Sequence, residues 1–222
     1  MKIEAVIFDM DGVLVDTEPF YMYRVKQFLD SHHIKVSMQD VYRLAGSSQK
    51  ETFEIMQSWW STSISIQELK SMYQRETQLV RVQDIYPYIL QPYTKIILRQ
   101  LAEKGIPLAI ASASNKVLID SMCTSCGIDS YFSFKQSGED LQRSKPYPDI
   151  YLEVAKQLQV NPKNCIVVED STYGIRAAKD AGMYVIAKED KRFNYDQSPA
   201  DICGSDLFEI YTIIKNKLNE VK

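Results

Sequence analysis

Ala5-Val6-Ile7-Phe8-Asp9-Met10-Asp11-Gly12 decides how the rest of this chain is read. The first four residues form an apolar run without alternation, as expected of a strand covered on both faces in a parallel sheet. Two carboxylates, one residue apart, follow at once. On a straight strand they would point to opposite faces. Gly12 allows the chain to turn there. The turn brings both acids towards the crevice at the carboxyl ends of the strands, where open α/β sheets place their chemistry. Like charges that close need a cation or a proton between them.

Working outward, apolar runs at 107–111, 165–168 and 184–187 join 4–8 as strand candidates. Helical periodicity covers 94–104, 116–126, 149–159, 173–181 and 207–219, and Gly105, Gly127 and Gly182 follow three of these as stops. This alternation predicts an α/β fold with a Rossmann-like, doubly wound parallel sheet. From 17 to 88 the pattern is almost wholly helical, with Met56, Trp59, Trp60 and Met72 in an aromatic-rich stripe that reads as a small core of its own. The expected organisation is a core of residues 1–16 and 89–222 with an inserted α-helical cap domain at 17–88.

With 222 residues, 45% of them hydrophobic, the chain has material for one large domain or one domain with an insert. A net charge of −3 argues against a nucleic-acid footprint. No apolar run is long enough to span a bilayer, and the short N-terminal run ends in acids, unlike a leader. A cytoplasmic monomer is expected. Cys123-Thr124-Ser125-Cys126 has metal-hook spacing, but no second such pair follows, so buried thiols are the simpler expectation. His32 and His33 are the only histidines and read as a solvated helix end. Acid–base chemistry must therefore come mainly from carboxylates.

Four separated segments carry that chemistry. They are Asp9–Asp16, the strand end at Ser112-Ala113-Ser114-Asn115, Ser144-Lys145-Pro146, and Glu169-Asp170-Ser171 after the strand Ile166-Val167-Val168. Each has a bland structural reading. Asp9 and Asp11 suit turns, Ser112 suits a helix cap, Lys145 suits a surface, and Glu169 and Asp170 suit the first turn of a helix. Together, in this order at strand ends, they suit phosphoryl transfer. One carboxylate attacks phosphorus, and another protonates the leaving group and then activates water. Hydroxyls and amides at the strand-to-helix junction of Ser112, Ala113, Ser114 and Asn115 receive phosphate oxygens. Lysine supplies a point charge, and carboxylates hold Mg²⁺.

These segments resemble the haloacid dehalogenase superfamily of phosphohydrolases. The ordered set adds Lys145-Pro146-x-Pro148-Asp149 and Glu169-Asp170-Ser171-x-x-Gly174-Ile175. The likeness is greatest to the β-phosphoglucomutase and phosphoglycolate phosphatase-like branch, which carries a helical cap after the first motif. The resemblance implies a nucleophile and Mg²⁺ ligand at Asp9. It implies a general acid/base at Asp11, whose backbone carbonyl also meets Mg²⁺. Ser112 and the Ala113 amide would bind the transferring phosphate, and Lys145 would neutralise charge. Asp170 would ligate Mg²⁺, with Glu169 as a further ligand or its partner. Gly46-Ser47-Ser48-Gln49-Lys50 falls where the family carries a substrate-specificity loop.

An acid at Asp11 favours phosphate esters over the carbon–halogen and carbon–phosphorus branches, so Lys50 is read as a surface or substrate-contact lysine. The mutases of this branch place a histidine after the first motif and an arginine in the cap loop, where this chain has Tyr21 and Gln49. Tyrosine does not titrate near neutral pH, and glutamine does not grip a phosphate as arginine does. The expectation is a Mg²⁺-dependent phosphatase acting on a small phosphorylated metabolite such as a sugar phosphate. The alternatives are a sugar phosphomutase and a non-catalytic sugar-phosphate binder.

Overall fold

β1 (Ala5–Phe8) runs through the middle of the sheet with all four side chains buried. The structure is a computed structural model describing residues 2–45, 47, 49–77 and 81–220, with Gln49 described by its backbone alone. After β1 come α1 (Glu18–Ser31), α2 (Met38–Tyr42), α3 (Gln49–Ser58) and α4 (Ile66–Glu76), then α5 (Tyr86–Ile89) and α6 (Thr94–Glu103). The chain continues through β2 (Leu108–Ser112), α7 (Lys116–Cys126), β3 (Phe134–Ser137), α8 (Asp149–Gln157), β4 (Cys165–Glu169) and α9 (Thr172–Asp180). β5 (Tyr184–Lys188), β6 (Ile202–Gly204) and α10 (Leu207–Asn219) complete it.

The six strands form one sheet in the order β3-β2-β1-β4-β5-β6, each pair parallel. The chain builds outward from β1 to β3, then returns to start again at β4 on the other side. β1 and β4 therefore flank the switch point where such sheets open a crevice. Phe8 lies opposite both Ile110 and Val168, so Asp9, Ala111 and Glu169 leave the sheet at one level.

Alternation sorts the strand residues into two apolar layers. Val6, Phe8, Ile110 and Val168 pack with Leu98 and Leu101 of α6, Ile119 and Met122 of α7, and Ile214 of α10. Ala5, Ile7, Ala109 and Val167 pack with Tyr151 and Val154 of α8 and with Ile175 and Ala178 of α9. The expected strands are all present. β3 and β6 are additional, and both are edges, where a strand needs no continuous apolar run. β3 reads Phe-Lys-Gln-Ser, and β6 has three residues.

Helices α1 to α4 form the helical cap around a third cluster of Met22, Val25, Phe28, Leu29, Val41, Phe53, Met56 and Leu69. Phe193, from the loop after β5, inserts into this cluster and meets Tyr42 edge-on. Val82 and Tyr86 pack instead with the sheet-side cluster, beside α7. The two crossings between sheet and cap run side by side. Asp16 N donates to Ile89 O at 2.8 Å, and Gln91 N to Leu14 O at 2.9 Å. His32 is not simply solvated, because its ring lies against Phe28 and Trp60 and its Nε2 is 2.7 Å from Glu76.

Candidate active site

Asp9 leaves β1 buried, with its amide held by Val168 O at 2.9 Å. Its Oδ1 accepts from Lys145 Nζ at 2.6 Å. The same ammonium donates to Glu169 Oε1 at 2.6 Å and to Ala111 O at 3.0 Å. Lys145 is thus a buried clamp between the ends of β1, β2 and β4, which rules out the surface reading. Burial works against its charge, but Asp9 and Glu169 outweigh burial and hold its pKa well above the usual lysine value.

Glu169 is saturated with donors. Oε1 also accepts from Tyr151 OH at 3.0 Å. Oε2 accepts from the amides of Asp170 and Ser171 at 2.9 and 3.0 Å, and from the Ser171 hydroxyl at 3.0 Å. Burial alone would raise its pKa; Lys145 and these donors outweigh burial and hold it below the ordinary value. Asp170 stands in contrast. Its carboxylate has no hydrogen-bond donor among the described residues, and it lines the cavity. Burial, then the charges of Glu169 and Asp9, push its pKa well up. Burial likewise pushes Asp9 up to about 8, with Glu169 and Asp11 adding to the effect and Lys145 opposing it.

Asp9, Glu169 and Asp170 each offer one oxygen, and the three oxygens lie within 4.8 Å of one another. One lysine for three buried carboxylates leaves negative charge uncompensated. This all-oxygen cluster suits a hard cation. Two glycines make the crowding possible. A Cβ on Gly12, where φ is +82°, would lie 2.0 Å from Asp170 Oδ2, and one on Gly174 would lie 1.6 Å from Glu169 Oε1.

The carboxylate of Asp11 turns away from this cluster. Oδ1 accepts from Thr17 OH at 2.7 Å, and Oδ2 accepts from Ser114 OH at 2.8 Å and Ser112 OH at 3.3 Å. It therefore sits between the first crossing into the cap and the loop after β2. Ser112 Oγ also accepts from Ser114 N at 3.0 Å. Asn115, rather than Ser112, caps α7, accepting from Leu118 N at 3.0 Å.

These groups open into a cavity of about 610 Å³ between sheet and cap. Asp9, Asp11, Ala113, Lys145 and Asp170 line its sheet side, and Tyr21, Arg24, Phe53, Met56 and Tyr73 are among those lining its cap side. Within the expected cap loop, Ser47 lines the cavity and shares a 2.7 Å hydrogen bond with Thr52. Lys50 is exposed, 3.7 Å from Glu54, and is not among the cavity residues. Gly46, Ser48 and the side chain of Gln49 lie outside the described residues.

Residues 6–188 match the haloacid dehalogenase-like hydrolase family. The chain belongs to that family. Two relatives among these hydrolases are a phosphorylated carbohydrates phosphatase of Thermotoga maritima and a β-phosphoglucomutase of Bacillus subtilis. The first is 32% identical across 81% of this chain and 82% of its own length. The second is 30% identical across 82% of each. Among solved structures, β-phosphoglucomutase from Clostridium difficile superposes with a TM-score of 0.76 at 27% identity, covering 99% of this chain and 98% of that one. No described helix of this family member is long and apolar enough to cross a membrane.

Several residues in or behind the cavity of this haloacid dehalogenase-like chain escaped the sequence reading. Tyr151 holds Glu169 from α8. Glu18 lines the cavity, and Tyr195 donates to it at 3.4 Å. Arg24 lies on α1, one turn beyond Tyr21. The i, i+3 spacing of Tyr21 and Arg24 on a helix that follows the first motif was the available signal for Arg24.

Proposed function

We propose that the chain is a Mg²⁺-dependent phosphatase that hydrolyses a small organic phosphate monoester through an aspartyl-phosphate intermediate. The observation that carries this reading is the pairing of two unlike carboxylates at the end of β1. Asp9 is gripped by a buried lysine, and Asp11 is held by hydroxyls at the mouth. Asp9 Oδ attacks phosphorus, forming the acyl phosphate and breaking the bond to the ester oxygen. Asp11 gives its proton to the departing alkoxide. It then takes a proton from water, which attacks the acyl phosphate and releases phosphate and free Asp9. The Ala113 amide, which lines the cavity, and Ser112 Oγ, which lies behind it, would receive the phosphoryl oxygens. Lys145 offsets the charge of Asp9 and lets it approach an anion.

The cluster suits Mg²⁺, which Asp9 and Asp170 would hold by their side chains and Asp11 by its backbone carbonyl; when bound, the ion would shield the attacking carboxylate from the phosphate's charge. Glu169 is assigned to holding Lys145 and the start of α9, because five protein donors already occupy its oxygens. The sheet-bearing part would do the chemistry and the expected cap of 17–88, reduced to α1 to α4 because Val82 and Tyr86 pack with the sheet, would close over it, with the paired crossings at Asp16 and Gln91 near the hinge. The Thermotoga maritima relative's name supports phosphorylated carbohydrates as substrates. Tyr21 faces the cavity with a phenol that burial pushes up, so it carries no proton exchange near neutral pH.

The test is phosphate release from a panel of sugar phosphates, phosphoglycolate, nucleotides and an aryl phosphate, with and without Mg²⁺. Turnover above one per chain that needs Mg²⁺ is expected. Asp9→Asn should lower it by roughly 10³-fold or more. Faster conversion of β-glucose 1-phosphate with a bisphosphate primer than its hydrolysis would assign the chain to the mutases instead.

A further inference from the structure

The cavity holds two cations, and they are used differently. Lys145 is consumed by Asp9 and Glu169. Arg24, on the cap wall, pairs with no carboxylate among the described residues. Glu76, one residue before its anchor Thr77, is taken by His32 and Arg75. Arg24 Nη2 donates to the Thr77 carbonyl and, at 2.8 Å, to the Thr77 hydroxyl. The guanidinium lies 5.3 Å from the centre of the Phe20 ring. These contacts fix the plane of the group. Nε, however, is buried and has no hydrogen-bond partner among the described residues. The cap side of the cavity is mostly apolar, with Met22, Val25, Phe53 and Met56, and the phenols of Tyr21 and Tyr73 lie close enough to feel the charge of Arg24.

A buried N–H without an acceptor costs stability, and a cation against an apolar wall costs more unless an anion meets it. A guanidinium whose rotamer is already fixed loses little entropy when that anion arrives. Nη2 is committed to Thr77, but Nη1 is held by no described residue and can donate to an oxygen of a carboxylate or of a phosphate. We propose that Arg24 binds a second anionic group of the substrate, at the end opposite the phosphoryl group presented to Asp9. The inference rests on the phosphatase reading and narrows the substrate class to phosphomonoesters that also carry a carboxylate or a second phosphate. Arg24 is then the specificity residue of the cap.

The test uses alkylphosphonates of two to four carbons, which have no ester bond to cleave. Each length is compared with a methyl, a carboxylate or a second phosphonate at the far end. Affinities are measured by calorimetry with Mg²⁺ present, for the wild-type chain and for Arg24→Gln. At one length or more, a two-anion probe should bind the wild type at least tenfold more tightly than its methyl counterpart. That ratio should fall at least tenfold in Arg24→Gln. The end group that gains most tells carboxylate from phosphate.

Arg24→Met keeps an unbranched apolar side chain beside Phe20 and takes over the test if the melting curve shows that Arg24→Gln does not fold. No preference in the wild type, no binding of any probe, or a ratio kept in the variant overturns the inference. Because binding is read without turnover, the two readings fail separately. A chain that hydrolyses nothing but loses the ratio in Arg24→Gln keeps the Arg24 assignment and loses the phosphatase.

Discussion

Glu169 on the sheet side of the cavity and Arg24 on the cap side are both charged and largely buried, but they are held to different degrees. Glu169 accepts from five donors, and no oxygen is left idle. Arg24 commits one nitrogen to Thr77 and leaves Nε unpaired. The sheet side is rigid for a physical reason. Its charges come from strand ends locked in register by the parallel ladders, and from glycines that admit carboxylates where any side chain would collide. The cap side is built from helix faces over an apolar cluster and joins the sheet through two crossings and the Phe193 loop. The contrast assigns bond making to the first wall and substrate choice to the second, and each assignment can be broken separately.

The largest effect is expected on the sheet side. Asp11→Asn removes the proton donor and keeps one acceptor oxygen, so one of the hydroxyls of Thr17 and Ser114 still donates and the other turns to accept from the new amide nitrogen. Turnover of an alkyl phosphate should fall by roughly 10²–10⁴-fold. An aryl phosphate, whose leaving group departs without a proton, should keep a rapid first release of phenol, because only the later hydrolysis of the acyl phosphate still needs Asp11. Equal slowing of that first release and of the first transfer from the alkyl phosphate would remove Asp11 from protonating the leaving group.

A single methyl group tests the rigidity itself. In Gly174→Ala the new Cβ would fall 1.6 Å from Glu169 Oε1, so Glu169 or the start of α9 must move. That displaces Lys145 and, through it, Asp9. We expect kcat to drop about tenfold or more, because small misplacements of reacting groups are costly. Stability should fall by about 1–3 kcal/mol in urea, as for other overpacked sites. Unchanged kcat would show that the clamp tolerates slack.

The same contrast explains what was readable in the sequence. Asp9, Asp11 and Glu169 were legible because they close apolar runs at strand ends in an order that the sheet constrains; Lys145, with its surface reading, was legible only as a member of that ordered set. β3 and β6 were not, since edge strands can be short and polar. Tyr195 and Phe193 come from a loop after β5 that reaches the cap across more than 140 residues of sequence, and no local pattern announces that reach. Arg24 sat in a readable helix, but periodicity gives a face and not what lies opposite it. The expected cap loop included Lys50, which is exposed and off the cavity, beside Ser47, which lines it; the cap cation that lines it is two helices earlier.

Glu18 lies on the boundary, and its protonation decides which wall it belongs to. Burial pushes its carboxyl up to about 7, and the charges of Asp11, Asp190 and Asp16 add to the shift. Neutral, it behaves as part of the cap lining; ionised, it joins the acid cluster. Its folded pKa lies above the unfolded value of 4.5, so the folded state binds the extra proton between pH 4.5 and about 7. Stability from this group is therefore whole below pH 4.5 and is lost as pH rises towards 7. Glu18→Gln cannot titrate. In chelator, the variant should gain on the wild type between pH 5 and pH 8 by about 1–2 kcal/mol, allowing for solvent in the open cavity. Thermal melts at the two pH values read this directly. Mg²⁺ draws down the negative charge facing Glu18, so adding it should shrink the gain. A gap between variant and wild type that stays constant with pH, with or without the ion, would place Glu18 outside the field of the acid cluster and move the boundary between the two walls closer to Asp11.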